Sequence, residues 1–368
     1  MLNELQDVSG LLRIDREFNT LGAYIKIIAN GKIGRNNQII FANNHFYLSL
    51  NTYLDGKYLN LYLELDSAGN IIKVLKETEG MLPTLFIAPN STVWCTLDDI
   101  EDKELILPLS KRQEIGSVKK YRPFVGEWLG TFNDIALFHS YDSFGNKPDQ
   151  LMKLEFKDNF IKKCEILKID KPQKNKMIIQ QEYIQMIAWD KGNLLHRKMD
   201  LKGNMIQERT IYVDDMELND VVGVKLCFDD ESTLIGFNDN TLFILFINSI
   251  GRITRKNLIE LEATFYNILG LKIIDAENYL VSFVGEAFNG WALIKNNILA
   301  ECFVGYEGNS FYKEIISDNI IEFPIRGNDK LIISGICVNK SDGYQVVIYN
   351  QKEEKELYII SRNLLPVN

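Results

Sequence analysis

Three observations predict that this chain is all-β and folds as a β-propeller of four-stranded antiparallel blades. Apolar runs of strand length dominate it. Short turns rich in Asn, Asp and Gly separate those runs. One turn pattern recurs along the chain: Asp or Asn, two residues, Gly, then Asn or Arg.

The runs include QIIFA, FYLSL, LNLYLEL, TLFIA, STVWCTL, YIQMIAW, TLFILFI, NYLVSFV, YQVVIY and ELYIIS. They are rich in β-branched and aromatic residues, which fit a pleated surface, and none extends a 3.6-residue apolar stripe beyond about three turns. The stretch from Arg255 to Gly270 can be written as a helix stopped by glycine, but it also divides into two strands around Glu260–Thr264, and that reading is preferred here.

The recurring turn appears in LELDSAGNIIKVL, HSYDSFGNKPDQLMKL, RKMDLKGNMIQERTI and LFINSIGRITRKNLI. Asp66, Asp142, Asp200 and Asn248 can accept bonds from backbone N–H groups further along each turn. Gly69, Gly145, Gly203 and Gly251 supply the left-handed backbone that closes a hairpin. Weaker hairpins follow Ser110, Lys295 and Asn350. These seven markers have a mean spacing of (350 − 66)/6, about 47 residues, within the ~40–50-residue period of a four-stranded blade. The tips of a preceding hairpin are read at Asp55-Gly56, Lys191-Gly192, Asp239-Asn240, Asn289-Gly290 and Asp342-Gly343.

Seven blades fit best. Six also fit, because the intervals around Asp142 are uneven: 32 residues from Ser110 and 58 to Asp200. Residues 1–368 read as one domain, with residues 1–20 as a closing strand or arm whose LLRID segment pairs with the last blade and removes two open edges.

Charge and composition narrow the function. The net charge is -9, a sign that repels nucleic-acid phosphates and anionic lipid and so points away from both as partners. The acidic clusters at 98–102, 214–217 and 229–231 sit between apolar runs and read as solvated turns. The five cysteines lie at least 35 residues apart and form no metal or redox pair. Four of them fall in apolar runs and read as reduced core residues. The first residues form no secretory signal and no charge-free run is long enough to span a bilayer, so the expected location is the cytoplasm.

No phosphate-binding loop, dinucleotide fingerprint, nucleophile elbow or calcium loop is present, and the three histidines lie far apart, so no cofactor and no metal are expected. The recurring Gly-His and Trp-Asp pairs of WD-repeat proteins are missing; Trp189-Asp190 occurs once. His139 and His196 are placed on the third strands of two units.

A non-enzymatic module that binds another protein is therefore the first expectation. Its surface is sought in KKYRPFVGEWLGTFND, the densest basic-aromatic stretch of an acidic chain, at Tyr121, Arg122, Phe124 and Trp128, with Trp291 as a second glycine-flanked anchor. The alternative is an enzyme acting on a glycan or other polar substrate through carboxylates at the channel mouth. For it, an echo between Val125-Gly126-Glu127 and Val284-Gly285-Glu286 nominates Glu127 and Glu286. A further alternative is a structural subunit of a larger assembly.

Overall fold

The computed structural model describes strand backbone in segments from Gln6 to Arg362, and side chains in broken stretches between residues 38 and 258. Every described regular element is a β-strand, and no helix among the described residues is long and apolar enough to cross a membrane.

The described strands pair antiparallel into seven sheets. In the first, Lys32–Ile33 and Gln38–Ala42 both lie on one side of His45–Leu54, followed by Lys57–Leu65 and Ile71–Glu79. The second contains Met81–Ile87, Val93–Asp98 and Glu104–Pro108. The third is Gly126–Phe132, Ile135–Ser140, Gln150–Lys157 and Phe160–Lys168. The fourth is Lys174–Gln180, Tyr183–Asp190, Asn193–Met199 and Met205–Tyr212. The fifth is Asp220–Lys225, Ser232–Asn238, Thr241–Ile247 and Ile253–Glu260. The sixth runs through Phe265–Ile273, Tyr279–Gly285, Phe288–Lys295 and Ile298–Tyr306, then adds Ser310–Glu314 and Asn319–Glu322. The seventh is Leu331–Asn339, Gly343–Asn350 and Glu356–Arg362, completed by Gly22–Ala29, Leu12–Asn19 and Gln6–Asp7.

The first strand of each sheet lies beside the first strand of the next, and Leu331–Asn339 returns beside Gln38–Ala42. Antiparallel four-stranded sheets set around a common axis in this way make a propeller. Polar side chains tie the inner strands across sheets. Leu85 N donates to Gln38 Oε1 (2.8 Å), Leu226 N donates to Gln180 Oε1 (3.0 Å), and Thr131 Oγ1 donates to the Ile87 carbonyl.

The core lies in layers between sheets. Phe86, Trp94, Phe138, Met152 and Phe156 fill the layer between the second and third. Leu151, Met177, Ile184 and Met199 fill the next, and Ile187, Leu194, Ile211, Leu234, Leu245 and Ile247 the one after. A middle strand is thus covered on both faces, which is why TLFILFI at Thr241–Ile247 is apolar almost throughout instead of alternating. Outer strands lack that second cover, and Met205–Tyr212 is exposed along most of its length.

The turns follow the expected chemistry where they are described. Gly203 and Gly251 have φ of 84° and 82°. Asp200 accepts from Lys202 N, Asn204 N and Asn204 Nδ2, and Asn248 Oδ1 accepts from Arg252 N (2.9 Å). Gly69, Asp142 and Gly145 lie outside the described residues.

Several expectations need correction. The Asp142 segment joins the second and third strands of its sheet, not the third and fourth, which are joined at 158–159. With the marker moved to 158, the intervals 32 and 58 become 48 and 42 (110 to 158, 158 to 200). The same Asx-Gly chemistry serves any reversal of the chain, so the motif alone does not say which one it makes. His139 accordingly lies on a second strand, within Ile135–Ser140, while His196 is on a third. Asn289-Gly290 lies inside Phe288–Lys295, where Asn289 pairs with Val284 and Gly290 with Phe283. The Arg255–Gly270 stretch divides between two strands, Ile253–Glu260 and Phe265–Ile273, as expected. The strand that meets Glu356–Arg362 is Gly22–Ala29, with the LRID segment one strand further out.

Candidate functional site

The candidate surface lies on the face where each sheet's first strand begins. Strand direction alternates, so the connection between second and third strands returns to that same face. In the first sheet this connection is Asp55-Gly56, with φ of 51° and 83°, a two-residue reversal closed by the Leu54–Lys57 pair. Tyr53 and Tyr58 face one another directly across it, with ring centroids 4.8 Å apart and planes at 52°. They are 43% and 42% exposed, unlike the wholly buried Tyr62 further along the strand of Tyr58. Lys57 beside them is paired with Glu79 (3.2 Å). Below the tip, Asn51 Nδ2 donates to Asn60 Oδ1 (2.6 Å) and Asn60 Nδ2 to the Gly80 carbonyl (3.0 Å), both asparagines being buried. The hairpin therefore presents two aromatic rings from a backbone held rigid by its own polar core. The sequence signal was available: two tyrosines flanking an Asp-Gly dipeptide at a two-residue tip.

Trp128 sits at the start of the third sheet's first strand, opposite Phe138 and next to a bulge before Gly130. Its ring packs against the Phe86, Trp94, Phe138 and Phe156 layer, and its Nε1 donates to Thr131 Oγ1 (3.3 Å). It is a packing residue that keeps part of its ring exposed. Tyr121, Arg122 and Phe124 lie outside the described residues. Trp291 is in the strand Phe288–Lys295, opposite Ser282 and Phe303, and its side chain is not among those described. Glu127 is in the strand Gly126–Phe132, opposite His139. Glu286 lies outside the described residues, between two strands of the sixth sheet, so the two echoed segments occupy different places in their sheets.

A second polar constellation had no signature in the sequence. Arg209, on the outer strand of the fourth sheet, reaches into the fifth. Its Nη1 donates to the carbonyls of Asn248 and Ser249 (both 2.9 Å), and its Nη2 to the Cys227 carbonyl (2.6 Å) and Ser232 Oγ (2.7 Å). Its Nε donates to His196 Nδ1 (3.1 Å), which leaves His196 Nε2 as the donor to Gln185 Oε1 (2.7 Å). The wholly buried imidazole stacks on Phe228 with centroids 4.2 Å apart. Burial, then the Arg209 and Lys198 cations, hold the histidine pKa down at about 3, so it is neutral at physiological pH. This group fastens two sheets together.

Among the described residues, Cys95, Cys164 and Cys227 take part in no disulfide. Cys95 is buried, and burial pushes its pKa up to about 12, which removes it from nucleophilic chemistry. Among the described residues no group of three His, Cys, Asp or Glu side chains could hold a metal ion.

No protein-family model matches the chain, and no curated protein matches it either. Among solved structures, the WD40 domain of coronin from Toxoplasma gondii is similar over 99% of this chain and 90% of that one, at 9% identity and a TM-score of 0.51. The likeness is one of fold: a β-propeller. An uncharacterized protein of Listeria monocytogenes aligns over 92% of this chain and 97% of its own, at 13% identity and a TM-score of 0.48. Dihydro-heme d1 dehydrogenase NirN aligns over 97% of this chain and 75% of its own, at 10% identity and a TM-score of 0.49.

Proposed function

We propose that this propeller is a non-catalytic module that binds another protein on the face carrying the second-to-third-strand hairpins. The observation that supports the reading most is the exposed Tyr53–Tyr58 pair on a rigid two-residue tip. Tyrosine brings a large contact area at a low cost in conformational entropy, and it is enriched among residues that dominate protein interfaces. Trp128 and the stretch holding Tyr121, Arg122 and Phe124, which leads into the first strand of the third sheet, join the surface in this reading.

The test compares wild-type protein with Tyr53→Ser/Tyr58→Ser as bait. A partner held by the wild type and lost by the variant, with unchanged thermal midpoint, supports the face; reciprocal capture using that partner as bait completes the result. Equal retention by both baits excludes the tyrosine tip. Turnover of a glycan panel that is abolished by Glu127→Gln would favour the enzyme reading instead.

A further inference from the structure

The outer strand of the fifth sheet, Ile253–Glu260, ends its sheet, and no further strand among the described residues pairs with its outer edge, apart from a bridge between Arg252 and Tyr212 of the neighbouring sheet. The sixth and seventh sheets each carry two strands beyond the fourth, so outer edges of this fold do accept added strands.

In an acidic chain this edge is basic. Arg252, Arg255 and Lys256 are all exposed, and no described carboxylate pairs with them. Arg255 lies over the Phe246 ring at 3.7 Å and Lys256 over Phe243 at 5.5 Å. Glu231 lies beside the start of this strand, accepting from Thr254 Oγ1 (3.4 Å). Successive side chains of a strand point to opposite faces, so Arg255 flanks one side of the open edge and Lys256 the other. Leu258, 54% exposed, continues the Lys256 side. A second copy of this strand would set like charges opposite one another, which disfavours self-pairing. A strand bearing carboxylates meets opposite charge on both faces.

We propose that the open edge of Ile253–Glu260 takes an extended, carboxylate-bearing segment of a partner protein as an added β-strand. Backbone hydrogen bonds along the edge supply affinity, and Arg255, Lys256 and Leu258 select acidic residues interspersed with apolar ones. The proposal stands independently of the tyrosine-bearing face.

The test uses the full chain and a tagged synthetic peptide of about eight alternating Glu and Val residues, the length of a typical strand. Fluorescence anisotropy should show binding that a Lys–Val peptide of equal length weakens by about tenfold or more. Amide exchange should slow at Ile253–Glu260 when the acidic peptide is added. Arg255→Glu/Lys256→Glu should lose about tenfold or more in affinity, and Arg255→Gln/Lys256→Gln a smaller share in the same direction, with the urea midpoint little changed. Binding that both variants retain, or that leaves exchange at this strand unaltered, overturns the proposal. So does a failure of the acidic peptide to bind. Variant-sensitive binding to phosphatidylserine vesicles or to single-stranded oligothymidine, without peptide binding, would reassign the cations to lipid or nucleic acid.

Discussion

Gly203 and Gly251 occupy the same position in the same kind of turn, with nearly equal φ, yet their substitution by alanine should differ sharply. At Gly203 an added Cβ meets only Leu167 Cδ1 at 4.0 Å, an ordinary contact. The expected cost is the left-handed backbone alone, about 1–2 kcal/mol. At Gly251 the Cβ would lie 2.3 Å from the Thr210 carbonyl oxygen and 3.3 Å from its carbon. Both are backbone atoms of the neighbouring sheet, so the turn must move away from it. That motion strains the bond from Tyr212 N to the Gly251 carbonyl (3.3 Å) and the two bonds from Arg209 to Asn248 and Ser249. A neutral hydrogen bond is worth about 0.5–1.5 kcal/mol and one to a charged group about 1.5–3. Gly251→Ala should therefore cost about 3–5 kcal/mol in all, against a domain stability of roughly 5–15. Urea titration of both variants measures the contrast, with the slope compared to check that the transition stays cooperative. If the two midpoints fall together to within the ~0.5 kcal/mol expected of an ordinary surface change, the packing of this turn on the fourth sheet is not what holds the interface.

Replacing His196 by Leu leaves the Arg209 Nε–H and the Gln185 carbonyl oxygen without their partner, and equilibrium unfolding should show a loss of about 2–4 kcal/mol. Arg209→Lys should lose nearly as much, because one ammonium cannot replace a planar fork that serves four oxygens in the fifth sheet and one ring nitrogen. The folded pKa of His196, about 3, lies below its unfolded value, so the unfolded state binds the extra proton between about pH 6.5 and 3. Stability is fully present above about pH 6.5 and falls with acid by up to ~1.4 kcal/mol per pH unit until about pH 3. The midpoint difference between pH 7 and pH 4.5 should shrink in His196→Gln, and an unchanged difference would assign the acid limb to other groups. Trp128→Ala should lower the melting temperature as a core truncation does, about 2–4 kcal/mol, whatever it does to binding. A variant that melts with the wild type would place the ring outside the Phe86–Trp94–Phe138 layer.

The fold was largely legible because its signals are local. Strand-length apolar runs such as TLFILFI announce strands buried on both faces. Asp200 to Gly203 and Asn248 to Gly251 write their own turns in four residues, and Asp55-Gly56 does the same in two. The failures came where a local signal has two outlets. The Asp142 turn could close either of two hairpins, and Asn289-Gly290 could turn or pair. Only the register of the whole sheet decides between such choices.

Function was not legible, because contacts between sheets carry no sequence pattern. Arg209 and Ser232 are 23 residues apart, Gln38 and Leu85 are 47 apart, and nothing in either segment announces the other. Trp128 beside glycine gives no sign in the sequence that its ring also packs against the layer between the second and third sheets. Tyr53 and Tyr58 look like two more core aromatics until their exposure at the hairpin tip is seen. Local backbone preference and alternating hydrophobicity therefore determined the strands and most turns. Burial and pairing between segments tens of residues apart depend on how whole sheets stack around the axis, and only the tertiary structure decided them.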